Sequence, residues 1–197
     1  MNQNTAEWHA ARLGKLTASK ANVIMGGLET SGLASYVKAL AWERVYGTRD
    51  EGYRSAAMDR GHVVEPAAFD WYVFSTDRSV DKVGFIEHPS LGYVGASPDG
   101  LAHDRTLEIK CPLHGAWMDC KRTGVVTSEY RWQCRWAQWV CGVKTTDIVC
   151  YHPVAGGLLV PISVTDAEVA QMEGRAGLVN EMVGKWVAVL TDQGEAQ

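Results

Sequence analysis

The sequence predicts an α/β fold in which a central mixed β-sheet is flanked by α-helices on both sides. Three observations predict it. Apolar residues recur at helical spacing through the N-terminal part, alternating β-branched segments follow through the middle, and a capping-box pattern opens a long helix near the C-terminus.

Taken in order, helical patterns cover Thr5 to Leu13, a short turn near Ala18 to Met25, and Leu33 to Tyr46. In the last, Leu33, Tyr36, Val37, Leu40 and Ala41 share a face and Gly47 stops the run. A further helix from about Ser55 to Phe74 contains Pro66, which removes a hydrogen bond and implies either a bend at Glu65 or a fresh helix start there. Extended segments follow near Ser79 to Glu87, Tyr93 to Ser97 and Thr106 to Lys110. On the next helix, Ser128 to Cys141, Tyr130 and Gln133 lie three apart and share a face. Trp132, Trp136, Trp139 and Val140 form a second stripe that reads as core rather than as a nucleotide-stacking platform. Strands near Asp147 to His152 and Leu158 to Val164 complete the sheet, and Thr165-Asp-Ala-Glu168 opens a final helix to about Leu190.

The segment Gly95 to Pro112, GASPDGLAHDRTLEIKCP, carries most of the functional information. Asp99-Gly100 interrupts one extended run and Arg105 to Ile109 forms the next, so the segment reads as a hairpin. With His103 and Asp104 at its tip, Asp99 lies opposite Glu108 and Ser97 opposite Lys110, and the period of two puts all four side chains on one face. Two facing carboxylates repel unless something positive sits between them. Carboxylate oxygens with open water positions suit Mg²⁺, with Mn²⁺ as a substitute, beside a substrate phosphate. Lys110 adds a positive charge that could orient or help deprotonate an attacking water and steady charge developing on phosphorus. The bland alternative is a solvated hairpin edge with a Glu-Lys pair.

Pro98-Asp99 followed by Glu108-Ile109-Lys110 resembles the signature of the PD-(D/E)xK nuclease superfamily, whose restriction-endonuclease-like core is the fold class expected here. Five blocks in order resemble the phage lambda exonuclease, or YqaJ-like, family of viral recombination nucleases. They are Trp8-His9 with Arg12-Leu13-Gly14 and Thr17-Ala18-Ser19, then Gly61 to Glu65, Ser97 to Leu101, Leu107 to Pro112, and Tyr130 to Gln133.

The resemblance implies that Asp99 and Glu108 are the main metal ligands with the backbone carbonyl of Ile109, and that Glu65 reaches the metal directly or through water. Lys110 would be the catalytic lysine, Gln133 would sit beside the site, and Arg12, Ser19 and Ser97 would bind a terminal 5′ phosphate, with Tyr130 near the DNA. Where the family often has a second Gln, this chain has Arg135, which could contact a backbone phosphate or face solvent. Without the flanking match, Glu65, Arg12 and Ser19 would read as a solvated helical acid, a surface charge and a helix-start residue.

Length and composition fit one nuclease domain over residues 1–197, with 46% of residues apolar. No internal repeat, membrane-length apolar run or basic-then-apolar leader is evident, so an intracellular location is expected, which by resemblance is the cytoplasm of a bacterial host carrying a phage or prophage. The five cysteines, Cys111, Cys120, Cys134, Cys141 and Cys150, are odd in number and lack CxxC spacing, so they read as reduced, mostly buried thiols. The net charge of −4 does not exclude a nucleic-acid partner. From Gly157 onward six acids, Asp166, Glu168, Glu173, Glu181, Asp192 and Glu195, face two bases, Arg175 and Lys185, which leaves the rest of the chain neutral. Basic residues cluster there at Arg44, Arg49, Arg54 and Arg60, at Lys121-Arg122, and at Arg131 with Arg135.

The reading is a Mg²⁺-dependent exonuclease that degrades one strand of linear duplex DNA from its 5′ end, releasing 5′ mononucleotides and leaving a 3′ single-stranded overhang. By resemblance, three subunits form a ring around the DNA and a single-strand annealing protein loads onto the exposed strand. An endonuclease of the same superfamily and a non-catalytic DNA-end-binding protein are the rivals. The retention of Glu65, Asp99, Glu108 and Lys110 speaks against the second.

Overall fold

The computed structural model describes residues 2–49 and 56–192. Helix α1 (Ala6–Arg12) is capped by Thr5, whose hydroxyl accepts the Trp8 N–H. After it come β1 (Leu16–Thr17), a 3₁₀ turn (Ala18–Lys20), α2 (Ala21–Met25) and α3 (Ser31–Tyr46). Gly47 ends α3 at φ +67°, a left-handed conformation that glycine adopts without a Cβ penalty. Helix α4 (Ala56–Thr76) runs unbroken through Pro66, so no fresh start occurs at Glu65. The expected start at Ser55, like Arg54 and Glu195, lies outside the described residues.

The strands form two mixed sheets rather than one. Strands β2 (Ile86–Glu87) and β3 (Val94–Ala96) join β1 in the order β1-β3-β2, with β1 parallel and β2 antiparallel to β3. The second sheet has the order β4-β5-β6-β7, from β4 (Gly100–Leu101), β5 (Arg105–Lys110), β6 (Thr145–His152) and β7 (Gly156–Ser163), with only the central β5-β6 pair parallel. The chain crosses between the sheets at Ser97 to Asp99, where Pro98 has no N–H to give a ladder. The Pro98 carbonyl is held instead by the Gln3 side chain, at 2.9 Å.

Helices cover both faces of the second sheet. Leu107, Ile109 and Val149 face Ala68 and Tyr72 of α4 in one apolar cluster. The alternate residues face the other way, where Ile148 and Cys150 pack with Cys120 and Cys134 of α5 (His114–Thr123) and α6 (Ser128–Cys141). Helix α7 (Asp166–Thr191), opened by the expected capping box, contributes Met172, Ala176, Val179 and Val183 to the largest core, together with α2, α3 and Trp136, Trp139 and Val140 of α6. The tryptophan stripe is core. All five cysteines are free thiols, with Cys120, Cys134 and Cys150 buried. No described helix is long and apolar enough to cross a membrane.

Candidate active site

The tight β4-β5 turn pairs Gly100 with Leu107 and Leu101 with Thr106, the expected register, and so brings Asp99 alongside the Glu108 strand. The Asp99 N–H donates to the Leu107 carbonyl at 3.0 Å, and its Oδ2 accepts the Ile109 N–H at 2.6 Å. Leu107 and Ile109 point into the α4 core, so the alternation sends Glu108 and Lys110 to the face covered by α6. There Glu108 Oε1 accepts from Lys110 Nζ at 2.6 Å and from Gln133 Nε2. The Tyr130 ring, one turn earlier on the same face of α6, lies 4.6 Å from Lys110 Nζ.

Electrostatics within this cluster are unbalanced. Burial, then the negative charge of Glu108, holds the Asp99 carboxyl well above the usual carboxylate range; Lys110 opposes the shift and Glu65 adds to it. Burial would by itself lower the Lys110 pKa, but Glu108 and Asp99 together raise it above the ordinary lysine value. One ammonium thus serves two carboxylates, Glu108 buried and Asp99 half-buried, with a third nearby. A hard divalent cation fits that donor set of two adjacent carboxylates. Among the described residues no three acidic, His or Cys side chains stand close enough to hold an ion alone. The Glu65 side chain is 44% exposed, lies 3.8 Å from His62 Nδ1, and faces a cavity of about 660 Å³ shared with Arg60, Ile109, Lys110, Cys111 and Tyr130. It lines the approach to the cluster and acts on Asp99 through its field.

Ser97 departs from its expected place opposite Lys110. Because the chain leaves the first sheet at Ala96 and Pro98 breaks the ladder, Ser97 turns toward α1. Its Oγ accepts from Trp8 Nε1 at 2.9 Å and from Arg12 Nη1 at 3.0 Å, while Arg12 Nη2 donates to Ser19 Oγ at 3.3 Å. The Arg12 guanidinium lies over the Trp8 ring at 4.0 Å and 5.8 Å from the Phe85 ring. Arg12 is only 9% exposed, and its Nε has no hydrogen-bond partner among the described residues. Burial, with repulsion from Arg49, brings its pKa down to about 10. A buried guanidinium whose hydrogen-bond partners among the described residues are two hydroxyls, with Glu43 acting only through its field, is a site that favours an anion. Helix α3 fixes the loop that presents it. Gly14, at φ +68°, donates its N–H to Glu43 Oε2 and accepts from Arg44 Nε, both at 2.8 Å. A side chain there would strike Arg44, so the glycine is required twice over.

Asp99 and Ser97 are thus the two ends of one three-residue crossing, with the carboxylate cluster on one side and the anion pocket on the other. Arg135 joins neither. Two residues beyond Gln133 it sits on a different side of α6, where it pairs with Glu168 Oε1 of α7 at 2.9 Å and lies 5.4 Å from the Trp132 ring. Of the two roles left open for it, facing solvent or contacting a phosphate, neither describes this tie between helices. Arg44 and Arg49 are likewise engaged, with the Gly14 carbonyl and with Glu43, and Arg60 Nη2 donates to the Cys111 carbonyl at 2.7 Å. Sequence reasoning missed Glu43, Arg44 and Phe85 as neighbours of the anion pocket. Helical spacing alone marks Glu43 and Arg44 only as ordinary positions of α3.

Residues 7–144 match the YqaJ-like viral recombinase domain. Among solved structures, the chain is similar to the alkaline exonuclease LHK-Exo of Laribacter hongkongensis, at 31% identity and a TM-score of 0.87, with 94% of this chain and 96% of that chain covered. The same holds for LHK-Exo in complex with dAMP, at 32% identity, the same TM-score and the same coverage. A phage-related exonuclease of Haemophilus somnus 129PT shares the fold at 12% identity and a TM-score of 0.72, over 90% of this chain and 96% of that one. No curated protein sequence matches significantly. With the family match spanning both the carboxylate cluster and the anion pocket, the chain belongs to the YqaJ-like viral recombinase domain family.

Proposed function

We propose that this protein is a divalent-metal-dependent exonuclease that digests one strand of linear duplex DNA from its 5′ end. The observation that carries the reading is the placement of an acid-acid-lysine cluster and a buried arginine hydrogen-bonded to hydroxyls at the two ends of Ser97-Pro98-Asp99. Asp99, Glu108 and the Ile109 carbonyl would hold Mg²⁺, or Mn²⁺ in its place, with Glu65 contributing from the cavity wall. Bound there, the ion would polarise the scissile phosphate and supply a hydrolytic nucleophile at neutral pH.

The chain's own groups do the rest. Gln133 and Lys110 fix the Glu108 carboxylate, and Lys110 places its charge where negative charge grows on the phosphorus oxygens. The Ile109 N–H orients Asp99. Arg12, Ser19 and Ser97 would take the terminal 5′ phosphate and set the polarity of digestion. The products would be 5′ mononucleotides and a 3′ overhang, a reading supported by the similarity to an exonuclease solved with a deoxynucleoside monophosphate. A ring of three subunits around the DNA, a single-strand annealing partner and action in the bacterial cytoplasm belong to the same proposal.

Incubation of linear and covalently closed duplexes with Mg²⁺ or EDTA tests it. Loss of the linear form only, and only with metal, is expected. A cut circle would turn the assignment to an endonuclease, and an intact linear duplex that is nonetheless bound would turn it to end binding.

A further inference from the structure

Resting on the 5′-phosphate reading above, we infer that Trp8 is a positioning residue that makes the Ser97 hydroxyl an obligate hydrogen-bond donor, tuning the pocket for a phosphorylated rather than a hydroxyl DNA end. A serine hydroxyl has one proton to give and two lone pairs to offer. Both lone pairs of Ser97 Oγ are taken, by Trp8 Nε1–H at 2.9 Å and Arg12 Nη1–H at 3.0 Å. Neither partner can accept, because indole and guanidinium are donors only. None of the hydrogen bonds among the described residues uses the Ser97 proton. That proton therefore points away from Trp8 and Arg12 and is available to an acceptor entering the pocket.

A terminal phosphate, charged and with acceptor oxygens only when fully ionised, can take the Ser97 proton and the Arg12 donors together, whereas a 5′ hydroxyl offers one uncharged oxygen whose own proton must find another acceptor. Trp8 also lies beneath the Arg12 guanidinium, 4.0 Å from ring centre to Cζ, and so sets the plane in which Nη1 and Nη2 reach Ser97 and Ser19. Two roles meet in one indole, and only the first depends on its N–H.

Trp8→Phe keeps an aromatic face and deletes the N–H, and incorporation of benzothienylalanine at position 8 deletes it with the bicyclic shape retained. The readout is the ratio of affinities for 5′-phosphorylated and 5′-hydroxyl duplexes, measured in EDTA by fluorescence anisotropy, with kcat and KM for both ends in Mg²⁺ alongside. The ratio falls about threefold to tenfold in either variant, the worth of one hydrogen bond, and the change appears in KM. In a Ser97→Ala background the same position-8 change has no further effect on the ratio, because Trp8 acts through that hydroxyl.

A wild-type ratio well above one that is unchanged in both variants overturns the role of Trp8 while leaving the pocket intact. So does a loss that persists in full when Ser97 is already alanine. A wild-type ratio of one overturns the phosphate pocket itself and this inference with it.

Discussion

Replacing Arg12 by methionine separates a residue kept for folding from one kept for a ligand. Arg12 is nine-tenths buried with no carboxylate among its described hydrogen-bond partners, and the fall of its pKa to about 10 corresponds to about 3 kcal/mol acting against the charged form in the folded chain. Hydrogen bonds to Ser97 and Ser19 and the stack on Trp8 return about 2 kcal/mol. A flexible apolar side chain of similar length fills the space without the desolvation cost. Arg12→Met is therefore expected to be more stable than the wild type by about 1 kcal/mol, a rise in Tm of about 2–4 °C for a chain of this size. The same substitution removes the charge-assisted contacts to a terminal phosphate and lowers the preference for 5′-phosphorylated ends by at least about tenfold. Urea denaturation and thermal melts read the first effect, and competition between phosphorylated and unphosphorylated duplexes reads the second. A loss of stability exceeding about 1 kcal/mol would refute the reasoning, since the guanidinium would then be a structural partner of Ser97 and Ser19.

Three further outcomes are expected. Lys110→Ala lowers kcat on linear duplex by on the order of 10²-fold or more while DNA binding in EDTA persists; single-turnover digestion checks it, and an unchanged rate would remove Lys110 from the chemistry. Tyr72→Phe deletes the 2.6 Å bond to Asp147, which is 1% exposed and otherwise held by Arg105. It should cost about 1–3 kcal/mol in urea denaturation with no change in end preference. Burial pushes the Cys141 thiol up to about 12. Its thiolate is therefore scarce below that pH, and alkylation at about pH 8 should run at least about tenfold slower than for free cysteine, rising as the pH approaches 12.

The carboxylate cluster was legible because local rules determine it. The β4-β5 register that pairs Gly100 with Leu107 follows from where the turn falls, and strand alternation then assigns Glu108 and Lys110 to one face. Tyr130 and Gln133 were legible through the same kind of local geometry on α6. Ser97 was misplaced for a physical reason, since one residue before Pro98 the ladder ends and the side chain answers to α1 instead. The division into two sheets has the same origin. Helix α5 went unread because its only buried residue is Cys120, although Pro112 before it and Gly124 after it mark its bounds. Glu43 and Arg44 act on Gly14 across about thirty residues of chain, a relation that tertiary packing creates and no local pattern encodes.

The central claim is that the Asp99-Glu108-Lys110 cluster hydrolyses DNA from a 5′ end bound in the Arg12 pocket, and a linear duplex labelled at one 5′-phosphorylated terminus tests it most directly. Release of the label first, as a 5′ mononucleotide, dependent on Mg²⁺ and lost in Lys110→Ala, is the predicted result. Release of the label last, or as a long fragment, would contradict it.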